Sequence, residues 1–266
     1  MVLRVGGMAT GMDTESIVKS LMDAERIPLM KMEREKQTLE WKQDDYREMN
    51  IKLKNLFDSA DPLRLEGTFK VSAPPTDLEV DGIIAKIKKF VDTYNEVTVS
   101  INGKINEDRY ADYQPLTNDQ RDAMSDKQAE RWDAKARSGM LKNDSMLRGI
   151  LTEMRSELSI PLAGATNTNF DTLSEIGISV KGSYQENGKL TLDESKLCAA
   201  IKSNPAEVKE LFTKAGTTTD GTGIAKRVLD TLGDCEFPFR AGHPACPSVH
   251  ASENKGRLHA KERIRL

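Results

Sequence analysis

Catalysis needs a nucleophile, a base and an orienting group that converge, and this chain spaces few residues in that way. Its three histidines, His243, His250 and His259, all fall in the last stretch of the sequence, near Cys235 and Cys246. These five do not form the two close pairs of ligands that make a zinc signal strong. There is no G-x-S-x-G elbow and no G-x-x-x-x-G-K-[ST] loop, and Gly103, Gly164, Gly177, Gly182, Gly188 and the run Gly216 to Gly223 read as turns and caps. The carboxylates Asp44-Asp45 and Asp108 to Asp112 sit beside Lys and Arg, where the ordinary reading is a solvated face. Trp41 and Trp132 lie among charges on expected helices and read as partly buried against a neighbouring helix. The sequence therefore assigns no catalytic, cofactor-binding or metal-ligating residue, and an enzyme is not expected.

Composition points the same way. Charged residues make up 30% of the 266 and aromatics only 5%, the balance of long solvated helices rather than of a large compact core. Thirty-nine basic and 42 acidic residues are interspersed to a net charge of -3, so no basic stripe suggests nucleic acid. No apolar run approaches the roughly 20 residues that span a bilayer, so membrane insertion is not expected. The N-terminus lacks the order of a cleaved secretory signal. Three cysteines, Cys198, Cys235 and Cys246, do not make a disulfide framework.

The elements are read from caps and periods. Asp13 or Thr14 caps a first helix with Ile17, Val18, Leu21 and Met22 on one face, which Pro28 is expected to bend or interrupt, with a restart near Leu29. Residues 63–71 read as extended, and Pro74-Pro75 forbid helix. A helix follows from Val80 towards Ile101, burying Ile83, Ile84, Ile87, Phe90, Val91 and Tyr94. Thr117 and Gln120 fit a capping box whose helix should run to Ser138-Gly139. Asn143 or Asp144 caps a helix that ends at Pro161, with Leu147, Ile150, Leu151, Met154 and Leu158 on its apolar face. Between Ile176 and Leu192 the period becomes two around Asn187-Gly188, which is a β-hairpin signal. Asp193 and Asn204-Pro205 open two further helices. The fold class is α+β, predominantly α, with long amphipathic helices and one small hairpin.

One pattern suggests association. Leu39, Tyr46 and Leu53 are seven apart and Met49 and Leu56 fill the intermediate position, a heptad seam with Lys42 intruding. Leu39, Tyr46, Met49, Leu53 and Leu56 form either an assembly interface or the apolar face of a helix on its own core.

The order of short motifs resembles one family. Gly6 to Asp13, Ile17-Val18, Leu21-Met22, Glu25-Arg26 and Pro28-Leu29 are similar to the opening of bacterial flagellar filament cap proteins, also called flagellar hook-associated protein 2. The resemblance continues through Leu39 to Lys42, Tyr46-Arg47, Phe57-Asp58, Thr68 to Lys70 and Ile87 to Glu96. It resumes at Arg109 to Tyr113, Pro115 to Thr117, Trp132, Ala136 to Gly139, Asn187 to Leu190, Leu192 to Glu194, and Asn204-Pro205 with Val208 and Leu211-Phe212.

The resemblance implies a coiled-coil leg and a helical body, and a structural component of the flagellum that caps the filament tip and assists flagellin assembly. It implies export without a cleaved signal to an extracellular flagellum. The partners it implies are further copies in a ring-like homo-oligomer, flagellin, hook–filament junction proteins and a flagellar export chaperone, with no cofactor. Adhesion and a non-functional gene remnant are the alternatives. The expected organisation is residues 1–70 as N-terminal leg and start of the body, 71–79 as a deletion junction replacing the family's outer head domains, 80–232 as helical body, and 233–266 as an aberrant, disordered tail. Loss of the C-terminal leg helix would leave the seam exposed, and this copy impaired.

Overall fold

The computed structural model describes residues 14–180 and 188–235. Helix α1 (Thr14–Ala60) is followed by two short 3₁₀ turns, Asp61–Arg64 and Glu66–Phe69, and then by α2 (Asp77–Asn106), α3 (Asn118–Asp122), α4 (Asp126–Arg137) and α5 (Ser145–Ser159). Strands β1 (Ile178–Val180) and β2 (Leu190–Leu192) precede α6 (Glu194–Ser203), α7 (Pro205–Thr213) and α8 (Ile224–Cys235).

Of the bend or interruption expected at Pro28, the interruption does not occur: α1 is one helix of 47 residues with Pro28 inside it. Proline removes one N–H and crowds the carbonyl four residues back, but here the surrounding turns face water, which can take up the orphaned carbonyl. Residues 63–69 are likewise mostly in 3₁₀ turns, with extended backbone kept at Leu65 between them and at Lys70 after them. Pro62 presets the first 3₁₀ turn, the Pro62 carbonyl accepts from Leu65 N (3.3 Å) and from Thr68 Oγ1 (2.6 Å), and Leu63 and Phe69 are buried. The helix expected from Val80 starts at Asp77 and runs past Ile101. Thr76 and Glu79 form its capping box: Thr76 N donates to Glu79 Oε2 at 2.9 Å and Glu79 N to Thr76 Oγ1 at 3.4 Å. The expected helix from Thr117 to Ser138-Gly139 is two. Its capping box is present, but a second one at Ser125 and Gln128 restarts the chain as α4.

Two compact units emerge, each made of separated stretches of chain. Residues 14–49 and 100–148 make the first, with Met49, Ile101, Ile105, Ala129, Ala136, Leu141 and Leu147 buried. Residues 50–99 and 149–235 make the second and larger one. There α2 buries Val80, Ile83, Ile87, Phe90, Val91, Tyr94 and Val97, while Phe69 stacks on Phe212 with centroids 5.4 Å apart. Ile84, expected on that buried face, is half-buried.

The antiparallel hairpin pairs Ile178 with Leu192 and Val180 with Leu190, and Asn95 of α2 clamps it: Leu190 N donates to Asn95 Oδ1 (2.7 Å) and Asn95 Nδ2 to the Leu190 carbonyl (2.9 Å). Asn187 of the expected turn lies outside the described residues. Asp193 caps α6 by accepting from Lys196 N, and Pro205 opens α7. The unforeseen α8 turns Ile224, Ala225, Val228, Leu229 and Leu232 inward.

Candidate assembly face

The five seam positions separate along α1. Met49 is 1% exposed and Leu56 0%, with Leu53 also buried, so these three belong to the chain's own core. Tyr46 is half-buried and donates from its hydroxyl to Asp144 Oδ2 at 2.5 Å. Burial first, and the Asp144 bond second, hold that phenol above its usual titration range. Leu39 is 66% exposed.

Helix geometry explains the separation. A repeat of 3.5 residues on a helix of 3.6 per turn drifts about 20° per heptad, so positions that face inward at Leu56 and Met49 have rotated outward by Leu39. The line that stays at least half-buried upstream of Met49 is instead Met30, Arg34, Thr38 and Trp41, ending in the buried Asp45. The heptad positions continue outward through Met32, Leu21 and Val18, and with Ile17, Met22 and Leu29 they make a stripe 53–66% exposed. Exposed apolar stripes of this size on a charged helix are candidates for contact surfaces.

Asp45 corrects the reading of Asp44-Asp45 as a solvated pair. It is buried, and its Oδ1 accepts from Lys104 Nζ at 3.0 Å and Arg137 Nη2 at 3.4 Å. The carboxylate thereby ties α1 to α2 and α4 within the first unit. A buried acid of this kind has no sequence signature of its own, though its place one residue before Tyr46 puts it on the inward line.

Further along α1, the loop between α2 and α3 comes against the helix. Arg34 Nη1 donates to Gln114 Oε1 (3.0 Å) and Arg34 Nη2 to Gln120 Oε1 (3.2 Å), so the capping glutamine of α3 also receives α1. The loop is held from behind, where Arg109 Nη1 donates to the carbonyls of Ala136 (2.8 Å) and Ser138 (3.1 Å). Gly139, at φ +67°, admits this approach, because a Cβ there would lie 2.8 Å from the Asp108 carbonyl oxygen. Between α1 and this loop lies a groove of about 890 Å³ lined by Ile27, Met30, Arg34, Leu39, Arg109 and Tyr113.

On the loop's other side, Tyr113 packs on Trp132 at 4.6 Å, Trp132 Nε1 donates to the Gln114 carbonyl at 2.8 Å, and Lys135 lies over the Tyr113 ring at 4.6 Å. A second groove of about 580 Å³ opens there among Tyr113, Met124, Arg131, Trp132 and Lys135. The expectation that Trp132 is half-buried holds, with its polar partner on a loop.

In the second unit, Glu79 gathers the N–H and hydroxyl of Thr76 and then those of Ser72, which lower its carboxyl to about 2. The short link between the second 3₁₀ turn and α2 is therefore an ordered turn. Cys198 is a free, half-buried thiol in the second unit. His243, His250, His259 and Cys246 lie outside the described residues, within which no group of His, Cys, Asp and Glu is placed to hold a metal ion. No helix among the described residues is long and apolar enough to cross a membrane.

Comparison with known proteins gives two overlapping family matches. The family model for the flagellar hook-associated protein 2 N-terminus matches residues 10–111, and that for its C-terminus matches residues 70–236. Flagellar hook-associated protein 2 of Halalkalibacterium halodurans is 43% identical over 132 residues, covering 50% of this chain and 24% of that relative. The Salmonella typhimurium protein of the same name is 30% identical over 180 residues, 66% of this chain and 33% of the relative. This chain thus spans about a quarter to a third of the length of these curated relatives. A crystal structure of the flagellar cap protein FliD D1-D2-D3 domains from Escherichia coli aligns with 60% of this chain and 33% of its own, at 24% identity and a TM-score of 0.38.

Proposed function

Because the chain belongs to the flagellar hook-associated protein 2 family, we propose that it is a structural, self-assembling component of the bacterial flagellum rather than an enzyme, acting at the filament tip where flagellin is added. The observation that carries this reading is the stripe on α1. Ile17, Val18, Leu21, Met22, Leu29, Met32 and Leu39 are each more than half exposed, on a helix whose downstream residues form the core. Seven large apolar side chains on one helix, left to water, favour association over the isolated chain.

In this reading Leu39 belongs to the assembly interface, while Met49, Leu53 and Leu56 hold the helix that presents it. The partners are further copies of the chain in a ring-like homo-oligomer, flagellin, hook–filament junction proteins and an export chaperone that would cover the stripe before assembly. The protein would be exported without a cleaved signal and reside extracellularly on the flagellum. Residues 71–79 mark the place where longer relatives insert their extra domains, and the ordered Ser72–Thr76–Glu79 turn supports a chain that folds without them.

The test is the size of the purified protein at micromolar concentration, together with complementation of a cap-deficient strain. A discrete oligomer of a few subunits and restored filaments are expected. A strictly monomeric protein that restores none would overturn the reading.

A further inference from the structure

The groove between α1 and the loop carrying Arg109 to Pro115 is lined by the apolar side chains Ile27, Met30 and Leu39, of which Ile27 and Leu39 are well exposed, and carries Lys31, Arg34 and Arg109 against a single acid, Glu35. Its shape and charge suit an amphipathic helix with aliphatic anchors and a carboxylate. The same chain carries such a helix: Val18, Leu21, Met22 and Glu25 follow the i, i+3, i+4, i+7 spacing of a groove-binding face, and all four are exposed. The chain cannot bring this face to its own groove. Leu21 and Arg34 stand on one continuous helix, about 20 Å apart along its axis, so the face and the groove wall are fixed parts of the same rod.

We propose that the groove of one copy receives the start of α1 from a second copy, with Val18, Leu21 and Met22 over Met30 and Leu39 and Glu25 near Arg34 and Arg109. This rests on the self-assembly reading above and gives that assembly its contact. The contact is heterologous: two different patches meet, each copy keeps one free groove and one free helix start, and the chain of contacts continues until it closes. The stripe's other flank, at Leu29 and Met32, stays open to further partners.

The experiment is sedimentation velocity on full-length variants, each checked by circular dichroism for an unchanged helical content. Leu21→Glu disables the helix start, and Ala111→Glu places a carboxylate in the groove; both positions are exposed, so folding is expected to survive. Each variant alone is expected to be monomeric. Mixed at equal concentration, they are expected to give a dimer and nothing larger, since one intact helix start meets one intact groove. Ala111→Lys, which adds a cation beside the incoming Glu25, is expected to tighten association about tenfold, a sign that a folding defect would not produce.

If the unmodified chain associates but Ala111→Glu associates equally well, or the two defective variants fail to pair, the groove contact is wrong while self-assembly stands. If the unmodified chain stays monomeric at all concentrations, both are wrong.

Discussion

The two halves of α1 carry similar side chains to opposite fates. Between Asp45 and Ala60 the helix buries Met49, Leu53, Leu56, Ser59 and Ala60; between Ile17 and Leu39 it leaves Ile17, Val18, Leu21, Met22, Leu29, Met32 and Leu39 to water. Hydrophobicity does not separate the halves, since both are apolar on one side and charged on the other. What separates them is whether the rest of the described chain offers a surface. Past Met49 the apolar residues meet packed helices, and before Leu39 they meet only the loop that reaches Arg34. The exposed half is the surface proposed above for assembly.

Truncating a leucine in each half should break the symmetry most strongly. Leu56→Ala removes a fully buried side chain and should cost about 3 kcal/mol of unfolding free energy. Leu21→Ala should cost less than about 0.5 kcal/mol in the dilute chain, yet weaken association. Urea titrations of both variants at low concentration check the first part, and sizing checks the second. Equal costs would mean that the two halves are packed alike.

Asp45 lies where the buried half begins, and Asp45→Asn keeps the shape while removing the charge that holds Lys104 and Arg137. The expected loss is about 2 kcal/mol, smaller than for Leu56 because both cations reach water when released. A variant as stable as the parent would show that this ion-paired group does not anchor α1 in its unit.

What the sequence made legible was local chemistry. Thr117 with Gln120, Asp193, and Asn204-Pro205 each mark a helix start by satisfying or omitting backbone donors within one turn, and each start is found there. The alternation around Ile178 and Leu190 likewise gave the hairpin. Where the competing influence was distant, the reading failed. Leu63 and Phe69 alternate with polar residues as in a strand, yet fold into 3₁₀ turns that bury both against the second unit's core.

The heptad through Leu39 was a true periodicity whose two readings divide along the helix: Met49, Leu53 and Leu56 face the core, and Leu39 is left exposed. In α8 the signal was present in Ile224, Val228 and Leu232 but was obscured by the change of composition that follows Leu232. The candidate site was half legible for the same reason: the sequence supplies the apolar stripe, but Arg34 meeting Gln114 and Gln120 across some 80 residues needed the fold.

The most direct test is amide hydrogen exchange followed along α1 at low and high protein concentration. Residues 17–39 are expected to exchange rapidly in the dilute chain and to gain protection of at least tenfold as concentration rises, while residues 45–60 stay equally protected throughout. Protection of residues 17–39 that is already complete at the lowest concentration, or association that leaves them unprotected, would contradict the account.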